Sequence, residues 1–146
     1  MKAAVIELQS GRWLKQITTT LNAAVLELVH VANSENRMRV QLPDHWRTFD
    51  DQQLQECARR SEVRLWSDED GILWRVSTVG PGTAFPFPLQ ERHLVFDSER
   101  AWAGIVRFGN ECELGDLTDL DLRSMRDRVS DFGGRRRAYR GPTLIR

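Results

Sequence analysis

The chain is poor in the residues from which small active sites are usually built. It holds three histidines, two cysteines and one tyrosine in 146 residues. Lysine is almost missing as well: of 21 basic residues, only Lys2 and Lys15 are lysine. No HExxH, no CxxC, no phosphate-binding glycine loop and no dinucleotide-binding glycine pattern occurs, so the chemistries those motifs carry find no support here. Cys57 falls on an expected helix and Cys112 in an acidic loop, which reads as two separate thiols suited to a reducing compartment. Long apolar runs are absent too. The longest, Ala23 to Ala32, is broken by Glu27 and His30 and falls well short of the ~20 residues a spanning helix needs. The opening MKAAVIELQSG lacks the apolar core of a signal peptide. The expectation is a protein of the cytoplasm or of the membrane periphery, without a transmembrane segment, cofactor or metal.

Arginine is what the chain has in quantity, and its distribution is uneven. Formal net charge is zero, yet residues 133–146, GGRRRAYRGPTLIR, hold five arginines and no acid. Removing those five from the 21 basic residues leaves 16 against 21 acidic ones, a body near −5. Gly133 and Gly134 mark a helix stop, and the segment beyond them is too polar to fold alone. Arg135, Arg136, Arg137, Arg140 and Arg146 can hold carboxylates bidentately, while Tyr139, Leu144 and Ile145 can fill small pockets.

Two stretches announce helix starts in the same way. Asp50 caps one with Gln53 at its third position, and Phe49 packs toward Leu54. Thr118 caps the other with Asp121 third, and Leu117 packs toward Leu122. Each is a capping box inside a hydrophobic staple, and the two are 68 residues apart. Upstream of each, Arg37–Leu42 and Ala103–Phe108 alternate as half-buried strands. Val25–Val31 and His93–Phe96 precede those, and Arg12–Lys15 resembles Leu73–Val76. Val63–Trp66 and Ile72–Val76 read as a hairpin across the turn Asp68-Glu69-Asp70-Gly71.

The expected fold is α+β, in two similar halves. Residues 1–61 and 62–132 each form an antiparallel β-meander followed by one helix, and residues 133–146 form an extended basic arm. One alternative concerns residues 12–32. Leu14, Leu21 and Leu28 with Ile17, Ala24 and Val31 form a heptad pattern that an amphipathic helix would also satisfy. Thr18-Thr19-Thr20, poor helix formers, argue for strands.

Candidate chemistry is sparse. His45 lies beside Asp44, twelve residues before Cys57 and sixteen before Ser61, but a nucleophile–base pair needs spatial contact that spacing cannot supply. His30 and His93 read as packed or hydrogen-bonded strand residues. Glu111, Glu113 and Asp116 lack the dense spacing of a calcium loop and read as a solvated acidic loop. Most of the five tryptophans read as core. In the Pro-rich loop Val79–Pro88, Phe85 and Phe87 either cover a sheet edge or form a sticky surface.

These features favour a non-catalytic accessory or scaffolding subunit. It would dock onto other protein subunits of a larger assembly through the arm and exposed aromatic groups. An anionic membrane surface is a second candidate partner for the arm. A nucleic-acid-binding regulator, with Tyr139 stacking on bases, is the alternative, disfavoured by the acidic body. A small enzyme or ligand-binding domain with a pocket between the halves is the third reading.

Overall fold

The computed structural model describes residues 4–82, 89–99 and 104–131. Nine strands follow one another across a single antiparallel sheet in chain order: β1 (Val5–Leu8), β2 (Gly11–Thr19), β3 (Ala24–His30), β4 (Arg37–Leu42), β5 (Val63–Ser67), β6 (Leu73–Val79), β7 (His93–Asp97), β8 (Gly104–Arg107) and β9 (Ser130–Asp131). Helix α1 (Asp51–Arg59) lies between β4 and β5, and α2 (Asp119–Asp127) between β8 and β9. The α+β class expected from the sequence holds. Residues 12–32, where two periods competed, form β2 and β3. The heptad fails there because burial follows a period of two: Trp13, Leu26 and Leu28 are sealed, while Leu14 is 50% and Leu21 97% exposed.

The core lies on one face of this sheet. Register aligns Lys15, Leu28, Met38, Arg64, Val76 and Phe96 side by side across β2 to β7. Leu28 and Met38 belong to a cluster with Trp13, Leu26, Leu54 and Ala58, where α1 packs. Val76 and Phe96 belong to a second cluster with Trp66, Trp74, Leu94 and Leu122, where α2 packs. Because the row is shared, both helices cover the same face of the sheet.

Both helices begin as the sequence predicts. Asp50 accepts from the Gln53 amide at 2.8 Å and the Gln53 side chain accepts from the Asp50 amide at 2.8 Å. Thr118 and Asp121 repeat the exchange at 3.1 and 3.0 Å. Two of the orphan donors at each helix start are thereby satisfied. A short 3₁₀ turn precedes each helix, Trp46–Thr48 and Leu114–Asp116, and turns and helices share one 68-residue offset at both ends.

The second 3₁₀ turn reaches across to the first cluster's helix. Gly115 accepts from the Ser10 hydroxyl at 2.6 Å, and Asp116 takes the Arg59 Nε at 2.7 Å. A Cβ on Gly115 would run into the Ala58 carbonyl and the Arg59 backbone, so a close backbone approach rather than an unusual φ requires glycine here. The Gly115→Ala variant is therefore expected to lose about 1–3 kcal/mol of stability through overpacking, read as a lower midpoint in urea unfolding.

The β5–β6 turn is clamped onto α2. The Asp68 carboxylate accepts from the amides of Asp70 and Ile72, from the Trp74 indole and from Arg126, at 2.9 to 3.0 Å. Arg126 also forks onto Glu69 at 2.8 Å through both terminal nitrogens. Those hydrogen bonds hold the Glu69 carboxyl below its ordinary value against a smaller opposing effect of burial. A carboxyl with a depressed folded-state pKa contributes stability above its unfolded value, and that contribution fades as pH falls through the folded one. Glu69→Gln should thus be less stable at neutral pH and lose less on acidification below about pH 4.5, as measured by urea midpoints across a pH series.

Candidate interaction surface

Strand alternation sends every second side chain away from the helices, and register lines those side chains up. Val5, Leu14, Val29, Arg37, Leu65, Arg75 and Asp97 form one row across β1 to β7. The neighbouring row runs Gln16, Glu27 and Arg39 on β2 to β4, then Val63, Ser77, Val95 and Ile105 on β5 to β8. Among the described residues, neither helix packs on this side. Valine, leucine and isoleucine there stay only half-buried, with Leu14 and Leu73 exposed.

A cleft opens in this face where the chain leaves the sheet for α1. β4 and β5 pair only at Arg37–Leu65 and Met38–Arg64, because Leu42 continues into the turn before α1 while β5 returns from its far end. The strands part beyond that point. The cleft holds about 570 Å³, with Val63 and Leu65 as apolar lining and Arg37, Arg39, Arg75 and Glu27 as charged lining. Glu27 already faces Arg39 at 3.5 Å. Arg37 donates its Nε to the Ser34 carbonyl at 3.0 Å, and neither Arg37, Arg75 nor Asp97 has an ion-pair partner among the described residues. Arg75 and Asp97 are register neighbours on β6 and β7. The surface thus combines apolar grip with unspent guanidinium and carboxylate groups.

Behind the cleft, on the helix side of β5, lies Arg64, only 2% exposed. Its Nη1 donates to the carbonyls of Leu114 and Leu117 at 3.1 and 2.7 Å, and its guanidinium lies 5.2 Å from the Trp13 ring centre. Burial lowers its pKa to about 10, opposed by the acids Asp119 and Asp121. Its Nε has no partner among the described residues. Arg64 is a structural bridge facing away from the cleft. Strand parity with Trp66 could have flagged it, since both sit two apart on one face.

All the residues proposed from the sequence for docking, Phe85, Phe87, Arg135, Arg136, Arg137, Tyr139, Arg140, Leu144, Ile145 and Arg146, lie outside the described residues, as does Trp102. The residues weighed for catalysis or metal binding can be placed. His45 stacks edge-on against Phe49 at 5.1 Å between ring centres. Cys57 packs against the first core cluster, and the Ser61 hydroxyl donates to the Ala58 carbonyl at 2.9 Å. Asp44 lines a polar hollow of about 360 Å³ together with Trp46 and Arg47, which neither His45 nor Cys57 lines. No hydrogen bond joins His45 to Cys57 among the described residues. His30 is the packed histidine expected: the Ala32 amide donates to Nδ1 at 3.1 Å, so Nε2 carries the proton toward the Ser10 carbonyl at 3.1 Å. In the acidic loop Asp116 pairs with Arg59, and no metal-capable group of three or more ligating residues occurs among the described residues. Trp13, Trp66 and Trp74 are sealed in the core. No helix of the described residues is long and apolar enough to cross a membrane.

Comparison of the chain with protein-family models, with curated proteins and with solved structures finds no match.

The two thiols differ in setting. Burial pushes the Cys57 thiol up, and the Glu56 carboxylate adds to it, whereas Cys112 is exposed. Thiolate is the reactive form. With a thiol reagent at pH 8, Cys112 is expected to label first, and Cys57 to label slowly until the protein is unfolded; equal native rates would refute the placement of Cys57.

Proposed function

We propose that the protein is a non-catalytic accessory or scaffolding subunit that works by holding other protein chains. The observation that carries this reading is the one-sided build of the sheet. Nine strands have their helices on one face, and the other presents a band of half-buried valine, leucine and isoleucine studded with Arg37, Arg75 and Asp97, which have no ion-pair partner among the described residues. Apolar surface beside planar, bidentate donors is the composition of protein interfaces. On the described strands that face carries no tryptophan, phenylalanine or tyrosine, the groups on which nucleic-acid bases would stack.

The arm of residues 133–146 is read as the second contact, reaching acidic groups on a larger assembly and ordering as it binds, with Phe85 and Phe87 as further apolar anchors. An anionic membrane surface is the other surface it suits, at about 1 kcal/mol per basic residue near the bilayer. The two meander-and-helix units, residues 1–61 and 62–132, are read as an internal duplication. The shared 68-residue offset of 3₁₀ turns and helices and the separate core cluster of each unit support that reading.

Deleting residues 133–146 is expected to leave far-UV circular dichroism and the unfolding midpoint of the body unchanged. The same deletion should abolish co-purification with partner subunits from the native host. Undiminished co-purification would sink the arm's assigned role.

A further inference from the structure

We infer that the open face of the sheet closes on a second copy of the same chain, making the protein a two-fold dimer packed sheet to sheet. The inference deepens the scaffolding reading by naming what occupies the face, and the arm remains free for the larger assembly.

The argument starts from the charge order of the central row. From β4 to β7 it reads Arg37, Leu65, Arg75, Asp97. A two-fold axis parallel to the strands, passing between β5 and β6, lays β4 of one copy over β7 of the other and β5 over β6. Arg37 then meets the second copy's Asp97, and Asp97 meets its Arg37. Leu65 meets the aliphatic stem of Arg75, and the reverse. Two-fold symmetry makes every such contact occur twice. An axis running across the strands would instead set Arg37 against Arg37, which like charge opposes.

Sheets that pack face to face keep their strand directions within about 30°, as the parallel axis requires. The groups to be joined are long enough to span the ~10 Å between packed sheets. Both charged partners are exposed and lack ion-pair partners among the described residues, so dimerisation breaks no ion pair there, and Arg37 has its Nη atoms for Asp97 while its Nε is held by the Ser34 carbonyl. Glu27 and Arg39, by contrast, are already neutralised within the chain. With the axis between β5 and β6, β3 of one copy lies over β8 of the other, so five interstrand spacings of ~4.8 Å give the overlap a width of about 24 Å, and strands of about six residues give it about 20 Å of height. That footprint, on the order of 480 Å² of flat area before side-chain relief, is more than half of the about 800 Å² of accessible surface per partner that a standard interface buries.

Other occupants fit less well. The chain's own C-terminal arm would bring five arginines onto a cleft already lined by Arg37, Arg39 and Arg75. A zero formal net charge leaves two copies without long-range repulsion.

The test is the oligomeric state of the full chain by sedimentation equilibrium, with charge reversals at Arg37 and Asp97. Wild type should be a dimer that weakens as salt is raised. Arg37→Asp and Asp97→Arg should each weaken self-association by about tenfold or more, because each reversal strikes two symmetric pairs. The double variant Arg37→Asp/Asp97→Arg should recover the dimer, since each new Asp then meets a new Arg. Circular dichroism verifies that all variants stay folded, and both positions are on the surface. Wild type that remains a monomer, single variants that dimerise normally, or a double variant that fails to recover each overturn the inference. A full chain that is monomeric but dimerises once residues 133–146 are removed would place the arm on this face and overturn it as well. Loss of the dimer by charge reversal and loss of co-purification by arm deletion are separate readouts, so either can fail without the other.

Discussion

Arg64 is the constraint on which the rest of the architecture depends. A guanidinium at the midpoint of an otherwise nearly apolar row must be desolvated, and burial of a charge is unfavourable unless its donors are met. The row places Met38 of one cluster on one side of it and Val76 of the other on the opposite side. Its Nη1 donates to the carbonyls of Leu114 in the second 3₁₀ turn and of Leu117 just after it, and its flat surface lies over Trp13 of the first cluster. One side chain thus ties together a strand, a turn and a tryptophan from the two ends of the molecule. Its partners fix where the Leu114–Asp116 turn sits, and that seat sets the near contact of Gly115 with α1.

The same joint explains why the other side of the sheet is shaped as it is. The chain leaves β4 for α1 and re-enters at β5, so the ladder between them is only two pairs long. Arg64 and the 3₁₀ turn bridge that short ladder on the helix side. Nothing among the described residues bridges it on the other side, and the strands part into a cleft. The scaffolding role proposed for the protein uses this asymmetry: cohesion within the chain is concentrated on one face, and capacity for association on the other.

Much of this was legible in the residues, and the misses have physical reasons. Capping boxes are local, satisfied within four residues, so Asp50–Gln53 and Thr118–Asp121 could be read without the fold. Alternation in Arg37–Leu42 gave the strand and its faces. The heptad over residues 12–32 was a coincidence of spacing that burial resolved. What could not be read was register. Arg37, Leu65, Arg75 and Asp97 are far apart in the chain, and only the pairing of four strands puts them in one row. Asp68 shows a related limit: the turn was plain from Asp68-Glu69-Asp70-Gly71, whereas its bond to Arg126, fifty-eight residues away, required α2 to be docked. Arg64 and Arg126 give no sign of burial in their residue type, because arginine is solvated by default.

The strictly sequential strand order has a geometric consequence. β1 and β9 are the two edges of the sheet, separated by eight interstrand spacings, about 38 Å measured along it. Val5 at the start of β1 and Asp131 at the end of β9 therefore lie on opposite edges of the sheet. A fusion placed ahead of Val5 and one placed after Asp131 would leave from opposite edges of the sheet.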